Sequence, residues 1–142
     1  MRILFVDDEP ENVASVSKIL AEALDAEIHV VTQLDEAVDA LAEGPWDLVV
    51  TDVFIPLGER ARELIGRRSR LEEGQDHLGG LLLLDEVDRM RRPPALLVHT
   101  ACTEHALVSV LKEHGHNRVP KPAPVDVLLR ACLEALELPV PQ

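Results

Sequence analysis

The chain alternates short apolar runs with segments of helical periodicity, and no other feature constrains its fold as strongly. Five runs are predicted to be β-strands, at positions 3–6, 28–31, 48–51, 95–99 and 117–120. The first four are almost continuously apolar, as is typical of parallel strands that helices cover on both faces. A repeated strand–helix order with right-handed crossovers therefore predicts one parallel α/β sheet between two layers of helices.

Apolar residues recur at helical spacing after each of these runs. The predicted helical stripes begin at Val13, Leu34, Leu83, Ala106 and Val125. Glycine or proline signals that end a helix follow three of the stripes. The length of 142 residues suits a single domain, predicted at 1–138 with a short tail at 139–142.

The net charge of −12 is concentrated in residues 1–56, which hold 13 acidic residues against Arg2 and Lys18. An acidic domain lacks the basic face that phosphate neutralisation requires, so direct nucleic-acid binding is not expected. No apolar run approaches the roughly 20 residues that span a bilayer, so no membrane partner is expected. The start of the chain does not read as a signal peptide, and Cys102 and Cys132 have no metal-ligand spacing, so a cytoplasmic location is expected.

One segment interrupts the regular order of strands and helices. Residues 57–78 form an insertion between the third strand and the third helix, where such connections usually take about 2–6 residues. The insertion is rich in arginine and in acidic residues. A disordered surface segment and a short polar helix within 59–73 both fit this composition.

Polar side chains follow four of the apolar runs. Asp7 and Asp8 follow the first run, Asp52 the third, Thr100 the fourth and Lys121 the fifth. Because the carboxyl ends of parallel strands meet at one edge of a sheet, these side chains are predicted to share a site. A turn, a helix cap or simple solvation explains each residue alone, but the coincidence at four strand ends favours a site.

The residue types at the strand ends indicate a divalent cation and a phosphoryl group. Ionised carboxylates that share a site repel one another, and hard oxygen ligands suit Mg²⁺. Asp52 is the candidate nucleophile, which forms an aspartyl phosphate. Lys121 offers a charge for a phosphoryl oxygen and Thr100 offers a hydroxyl donor. The backbone N–H groups of Phe54 and Ala101 are expected to complete the phosphate cradle.

Four motifs in this order resemble the receiver domain of the two-component response-regulator family, which is CheY-like. They are the acidic pair within 6–10, the phosphoacceptor motif with its proline at 51–56, the switch hydroxyl and small residue at 100–101, and the lysine–proline pair at 121–122. The resemblance covers the chain except the insertion and the tail. It implies a flavodoxin-like, doubly wound sheet of strand order 2-1-3-4-5, with Mg²⁺ as the cofactor.

The resemblance also implies partners and roles. A sensor histidine kinase or a phosphotransfer protein would phosphorylate Asp52, and an unknown downstream protein or a phosphorelay step would respond. The chain would then be a signalling module rather than an enzyme, and a homodimer is left open. In the family pattern Asp8 binds the metal directly, Asp7 binds it through water and Phe54 offers its backbone carbonyl. Two alternatives are a receiver-fold adaptor that is not phosphorylated and, with less support, a Mg²⁺-dependent aspartyl-phosphate phosphatase.

Some positions depart from the family pattern. Arg118 stands three residues before the lysine, where the family usually has an aromatic switch residue, so signalling without an aromatic rotation is expected. Phe54 is expected to hinder attacking water and to slow dephosphorylation of Asp52. The insertion at 57–78 is expected to tune partner access or phosphoryl lifetime. Strand alternation predicts that His99 points away from the site and is a satisfied core or helix-facing histidine.

Overall fold

A computed structural model of the chain describes three stretches of residues, 1–60, 79–101 and 117–138. All five predicted strands lie within them. The predicted helix that begins at Ala106, Cys102, residues 61–78 of the insertion and the tail at 139–142 lie outside the described residues.

Five strands form one parallel sheet. They are β1 Arg2–Val6, β2 Glu27–Val31, β3 Leu48–Thr51, β4 Ala95–Thr100 and β5 Asn117–Pro120, in the spatial order β2-β1-β3-β4-β5. In the register of the sheet, Val6 lies opposite both Val31 and Thr51, and Thr100 lies opposite Pro120. The predicted doubly wound sheet and its strand order are therefore confirmed, and the carboxyl ends of the strands lie along one edge.

Helices cover both faces of the sheet in the part of the chain that the structure describes. They are α1 Ala14–Leu24, α2 Leu34–Ala42, α3 Gly79–Asp88 and α4 Val125–Ala135, and a short 3-10 helix at Pro10–Asn12 precedes α1. Side chains of α1 and α4 pack with Ile3 and Phe5, whereas side chains of α2 and α3 pack with Leu4 and Val6. Successive β1 residues thus enter opposite layers, which explains why the run is apolar throughout. None of these helices is both long and apolar enough to cross a membrane.

The residues that follow Asp52 are packed tightly against the start of α3. The N–H of Gly79 donates to the carbonyl of Ile55 at 2.9 Å, and the N–H of Gly80 donates to the carbonyl of Val53 at 3.1 Å. A Cβ atom at Gly80 would lie 2.1 Å from the carbonyl oxygen of Asp52. Only glycine therefore allows α3 to begin directly beneath this loop.

Candidate phosphoryl-acceptor site

Three carboxylates converge at the carboxyl edge of the sheet. Asp7 and Asp8 directly follow β1, and Asp52 directly follows β3. One carboxylate oxygen of each residue lies within 4.8 Å of the corresponding oxygens of the other two. Asp7 and Asp52 are only 2% and 6% exposed, whereas Asp8 is open to solvent. The structure thus brings together the three aspartates that the strand-end pattern predicts to share a site.

Lys121 bridges the two buried carboxylates. Its Nζ donates to Oδ2 of Asp7 at 2.7 Å and to Oδ2 of Asp52 at 2.7 Å. The backbone N–H of Lys121 donates to the carbonyl of Thr100 at 2.9 Å, which extends the pairing between β4 and β5 by one residue. The ammonium that follows the edge strand β5 is therefore held between two acids that follow β1 and β3 and are distant from it in sequence.

The charges of the cluster shift the pKa values of its members in a consistent way. Partial burial raises the pKa of Asp8, and the neighbouring carboxylates of Asp7 and Asp52 raise it further. Burial opposes the charge on Lys121, but hydrogen bonds and charges from Asp52 and Asp7 outweigh it, so its pKa is raised. Three carboxylates around one ammonium leave a surplus of negative charge, which favours a bound cation.

Backbone N–H groups hold the remaining oxygens of the two buried carboxylates. The N–H of Phe54 donates to Oδ1 of Asp52 at 3.1 Å, and the N–H of Glu9 donates to Oδ1 of Asp7 at 2.9 Å. Each carboxylate therefore has one oxygen held by the backbone and the other by Lys121. This arrangement limits its rotation and fixes the direction in which it faces.

The other predicted site residues lie at the same edge of the sheet. Thr100 ends β4 and is fully buried, and the following Ala101 is exposed. Arg118 lies on β5 opposite Val98 and is exposed, so an arginine at the surface stands where the family usually has its aromatic switch. The ring of Phe54 is 37% exposed and lies two residues after the candidate nucleophile.

The donor set of the cluster fits a hard divalent cation. Carboxylate oxygens are its metal-binding atoms, and such ligands suit Mg²⁺ rather than metals that prefer sulfur or imidazole. The exposure of Asp8 gives access to solvent, as an ion that retains several waters requires. The residues present therefore fit the cofactor that the sequence pattern implies.

The sequence-based prediction for His99 is wrong in one respect. Its burial agrees with the prediction, since only 4% of the residue is exposed. Neither ring nitrogen, however, has a hydrogen-bond partner among the described residues, so it is not a satisfied core histidine. Burial and the charge of Lys121 lower the pKa of His99, against smaller opposing effects of Asp7 and Asp52. The one indication in the sequence that His99 is buried among apolar groups is its position directly after four apolar residues of β4.

Comparison with known proteins rests on structure rather than on sequence. No family model matches the chain, and no curated protein matches it. A CheY-like response regulator receiver domain protein from Methanospirillum hungatei JF-1 superposes with a TM-score of 0.72 at 20% identity, covering 96% of this chain and 93% of that chain. This chain has the fold of a response regulator receiver domain.

Two further receiver domains show the same likeness in different states. The BeF3-activated N-terminal receiver domain of Klebsiella pneumoniae RstA gives a TM-score of 0.69 at 21% identity, covering 96% of this chain and 98% of that chain. The non-phosphorylated HemR receiver domain from Leptospira biflexa gives 0.67 at 21% identity, covering 99% and 98%. Each of these superpositions covers nearly the full length of both chains.

Proposed function

We propose that this protein is a response-regulator receiver that accepts a phosphoryl group on Asp52. The observation that carries the proposal is the 2.7 Å contact between Oδ2 of Asp52 and Nζ of Lys121, within a cluster of three carboxylates. A carboxylate held by a lysine and by the backbone is an oriented nucleophile with a cation beside it for the incoming phosphoryl group. The receiver fold supports the same assignment.

The proposed step forms an aspartyl phosphate. An oxygen of Asp52 bonds to the phosphorus of a phosphohistidine while the phosphorus–nitrogen bond breaks, and its electron pair stays on the donor imidazole. Mg²⁺, when bound, neutralises negative charge on the transferred group. Asp8 would hold the ion directly, Asp7 through water and Phe54 through its backbone carbonyl.

Phosphorylation changes the partners of the groups around Asp52. In the unphosphorylated protein the ammonium of Lys121 contacts the carboxylate of Asp52. After phosphorylation, a phosphoryl oxygen on Asp52 takes the place of that carboxylate oxygen as the acceptor. The N–H of Phe54 donates to Oδ1 of Asp52 in the unphosphorylated protein. After phosphorylation it donates to a phosphoryl oxygen as well. We assign the hydroxyl of Thr100 and the N–H of Ala101 to the remaining phosphoryl oxygens.

The proposed partners follow from this chemistry. The phosphoryl donor is a sensor histidine kinase or a phosphotransfer protein in the cytoplasm. Phosphorylation shifts a conformational equilibrium, which changes the binding of a downstream protein or permits onward phosphoryl transfer. The protein signals through its phosphorylated state and does not turn over a small-molecule substrate.

Reaction with acetyl phosphate in the presence of Mg²⁺, followed by intact-mass measurement, tests the proposal. The wild-type protein should gain one phosphoryl group and Asp52→Asn should gain none. Asp126→Asn is the matched control, because this carboxylate is exposed on α4 and should leave labelling unchanged.

Three outcomes would contradict the proposal in different ways. Labelling of Asp52→Asn at the wild-type level would place the acceptor elsewhere. No reaction of the wild type with acetyl phosphate or beryllofluoride would favour an adaptor that is not phosphorylated. Continuous release of phosphate from phosphomonoesters would favour the phosphatase.

A further inference from the structure

Two buried glycines at the start of α3, Gly79 and Gly80, support the loop that carries Asp52. The N–H of Gly80 donates to the carbonyl of Val53 at 3.1 Å, and the N–H of Ile55 donates to the same carbonyl at 3.2 Å. The second of these bonds closes a tight three-residue turn directly after Asp52. The carbonyl of Val53 therefore joins the start of α3 to this turn.

The peptide group between Val53 and Phe54 connects Gly80 to the candidate nucleophile. Its carbonyl accepts the hydrogen bond from Gly80, and its N–H donates to Oδ1 of Asp52 at 3.1 Å. Because a peptide group is planar, holding its carbonyl also sets the direction of its N–H. The carbonyl of Phe54 belongs to the next peptide group, whose N–H, that of Ile55, is held by the same Val53 carbonyl. The bond from Gly80 thus acts on both groups that Phe54 presents to the site.

The absence of a side chain at Gly80 is as important as its N–H. A Cβ there would meet the carbonyl oxygen of Asp52 and would lie 2.5 Å from Cα of Val53. The carbonyl of Asp52 is held in turn by Thr51, whose Oγ1 donates to it at 3.0 Å. A side chain at position 80 would therefore displace the backbone of the loop rather than a flexible group.

The body of α3 is packed too closely to move aside and relieve such a contact. Leu83 is buried in one apolar cluster with Ile55. Leu84 is buried in a second cluster with Val53. Close-packed groups transmit a displacement to their neighbours instead of absorbing it. A change at the start of α3 is therefore passed to the loop.

We propose that Gly80 is a positioning residue for the phosphoryl-acceptor site. Its N–H and its lack of a side chain set the direction of the Asp52 carboxylate and of the Phe54 carbonyl, although Gly80 itself touches neither the phosphoryl group nor Mg²⁺. The reaction that this positioning serves rests on the proposed function, whereas the hydrogen bonds belong to the protein in its free state.

Gly80→Ala in the full-length protein tests the proposal with three measurements. In NMR spectra of the metal-free protein, the amide proton of Phe54 should move upfield, because its hydrogen bond to Asp52 lengthens. The dissociation constant for Mg²⁺ should rise about tenfold or more, as when a group that orients a metal ligand is lost. Labelling of Asp52 at saturating acetyl phosphate should slow by about tenfold or more, because the nucleophile is misdirected.

Gly79→Ala is a milder version of the same change. Its Cβ would lie 2.8 Å from the carbonyl oxygen of Ile55, one turn residue further from Asp52 than Val53 is. All three measurements should change in the same direction as for Gly80→Ala and by less. This variant carries the test if Gly80→Ala does not fold.

Two controls separate positioning from a general loss of stability. Gly44→Ala places a Cβ 3.2 Å from the carbonyl of Leu41, before β3 and hence at the opposite edge of the sheet. Leu20→Ala destabilises the fold from α1, where the fully buried side chain packs in the layer that does not contain α3. Under conditions in which urea curves show each variant to be folded, both controls should keep Mg²⁺ affinity and labelling rate within about twofold of the wild type.

The outcomes distinguish the role of Gly80 from the proposed function. An unchanged Phe54 resonance together with unchanged Mg²⁺ affinity in both Gly79→Ala and Gly80→Ala would overturn the positioning role. Equal changes in Leu20→Ala would overturn it too, because they would trace the effect to stability alone. A wild type that takes no phosphoryl group would refute the proposed function, and the Phe54 resonance and the Mg²⁺ affinity would still decide the role of Gly80.

Discussion

Two groups in this molecule each pair one cation with two aspartates, and they differ chiefly in exposure to water. The first, which we call the Lys121 bridge, joins Lys121 to Asp7 and Asp52. Its side chains are 13%, 3% and 7% exposed, and both contacts measure 2.7 Å. In such a place the charges have little water to solvate them, so each depends on its partners.

The second group, which we call the Arg60 bridge, joins Arg60 to Asp35 and Asp39. Arg60 and Asp39 are 62% and 60% exposed and lie 2.8 Å apart, while the contact with Asp35 is longer, at 3.8 Å. Water solvates the charges of Arg60 and Asp39 whether or not they pair, so their ion pair adds little stability, whereas the carboxylate of Asp35 is only 16% exposed.

The Arg60 bridge positions the backbone rather than stabilising the fold. The N–H of Arg60 donates to Oδ2 of Asp35 at 2.9 Å, and Gly58 adopts a φ of 86° just before it. A Cβ at Gly58 would lie 2.5 Å from the same carboxylate oxygen, so a side chain there would break the contact. The first residues of the insertion are thereby held on the N-terminal end of α2. The same residue types thus serve a reactive site when buried and a surface anchor when exposed.

Lys121→Met should have the largest effect on stability. Removing the ammonium leaves two buried carboxylates without their cation, so the free energy of unfolding should fall by about 3–5 kcal/mol. Urea denaturation at neutral pH without divalent cations measures the loss, and added Mg²⁺ should recover part of it. Lys18→Met, an exposed lysine of α1, is the control and should change stability by at most about 0.5 kcal/mol. A loss of stability for Lys121→Met as small as that for Lys18→Met would show that the buried Lys121 bridge is no more important to stability than an exposed charge.

Mg²⁺ should stabilise the wild type by the next largest amount. At a concentration of 100 times its dissociation constant, the gain is about 2.7 kcal/mol, measurable as a shift of the urea midpoint. Asp8→Asn removes the exposed carboxylate of the cluster and should raise the dissociation constant about tenfold or more. Asp126→Asn should leave it unchanged. Equal Mg²⁺ affinity in the two variants would show that Asp8 does not hold the ion.

The raised pKa of Asp8 gives this binding a pH dependence of known sign. Protons compete with Mg²⁺ for the carboxylate, so affinity should fall as pH drops, beginning above the ordinary value of 3.8. In the metal-free protein the folded state binds the proton more tightly than the unfolded state does. The contribution of Asp8 to stability is therefore present below pH 3.8 and is lost as pH rises through the folded pKa. Calorimetric titration with Mg²⁺ across acidic pH, with Asp8→Asn as the control, measures the first effect.

Alkaline pH should weaken the Lys121 bridge and leave the Arg60 bridge charged. The pKa of Lys121 is raised above 10.5 in the folded state, so its contribution is fully present below pH 10.5. That contribution is lost as pH rises through the folded pKa. The stability difference between the wild type and Lys121→Met should therefore narrow at high pH. A difference that stays constant through this range would show that the lysine does not titrate there.

Arg60→Met should have the smallest effect, a loss of stability far below that of Lys121→Met, because the guanidinium is exposed to water. The loss should disappear in 1 M salt, where the Debye length is about 3 Å. A double-mutant cycle with Asp39→Asn isolates the pair, and its coupling energy should be close to zero. A coupling energy as large as the loss measured for Lys121→Met would mean that the surface bridge behaves like the buried one.

Much of the fold was predictable because local patterns and global packing agree. The continuous apolar runs of β1, β3 and β4 indicated strands covered on both faces, and helical stripes filled the intervals. The polar residues after the strands then placed Asp7, Asp8, Asp52 and Lys121 at one edge, because parallel strands end on the same side. These predictions needed only residue type, spacing and the handedness of crossovers.

Other features depend on contacts that spacing does not encode. The sequence indicated His99 as a satisfied core residue, but whether a buried imidazole finds a partner depends on side chains from other elements. Nothing in the residue pattern marks Gly80, yet the carbonyl of Asp52 leaves no room there for a Cβ. The Arg60 bridge spans 21 residues to Asp39, and no periodicity predicts such a pair.

The sequence by itself determined the strands, the parallel sheet and the set of polar residues at its carboxyl edge, because each follows from short-range patterns and chain chirality. The strand order came from the resemblance to receiver domains. Only the tertiary structure decided how these residues pair: Lys121 between Asp7 and Asp52, Asp8 in solvent, and His99 buried without a hydrogen-bond partner in the described part of the chain. The physical reason is distance. Hydrogen bonds and desolvation act over a few ångströms between groups far apart in the chain, so their outcome exists only once the strands are packed.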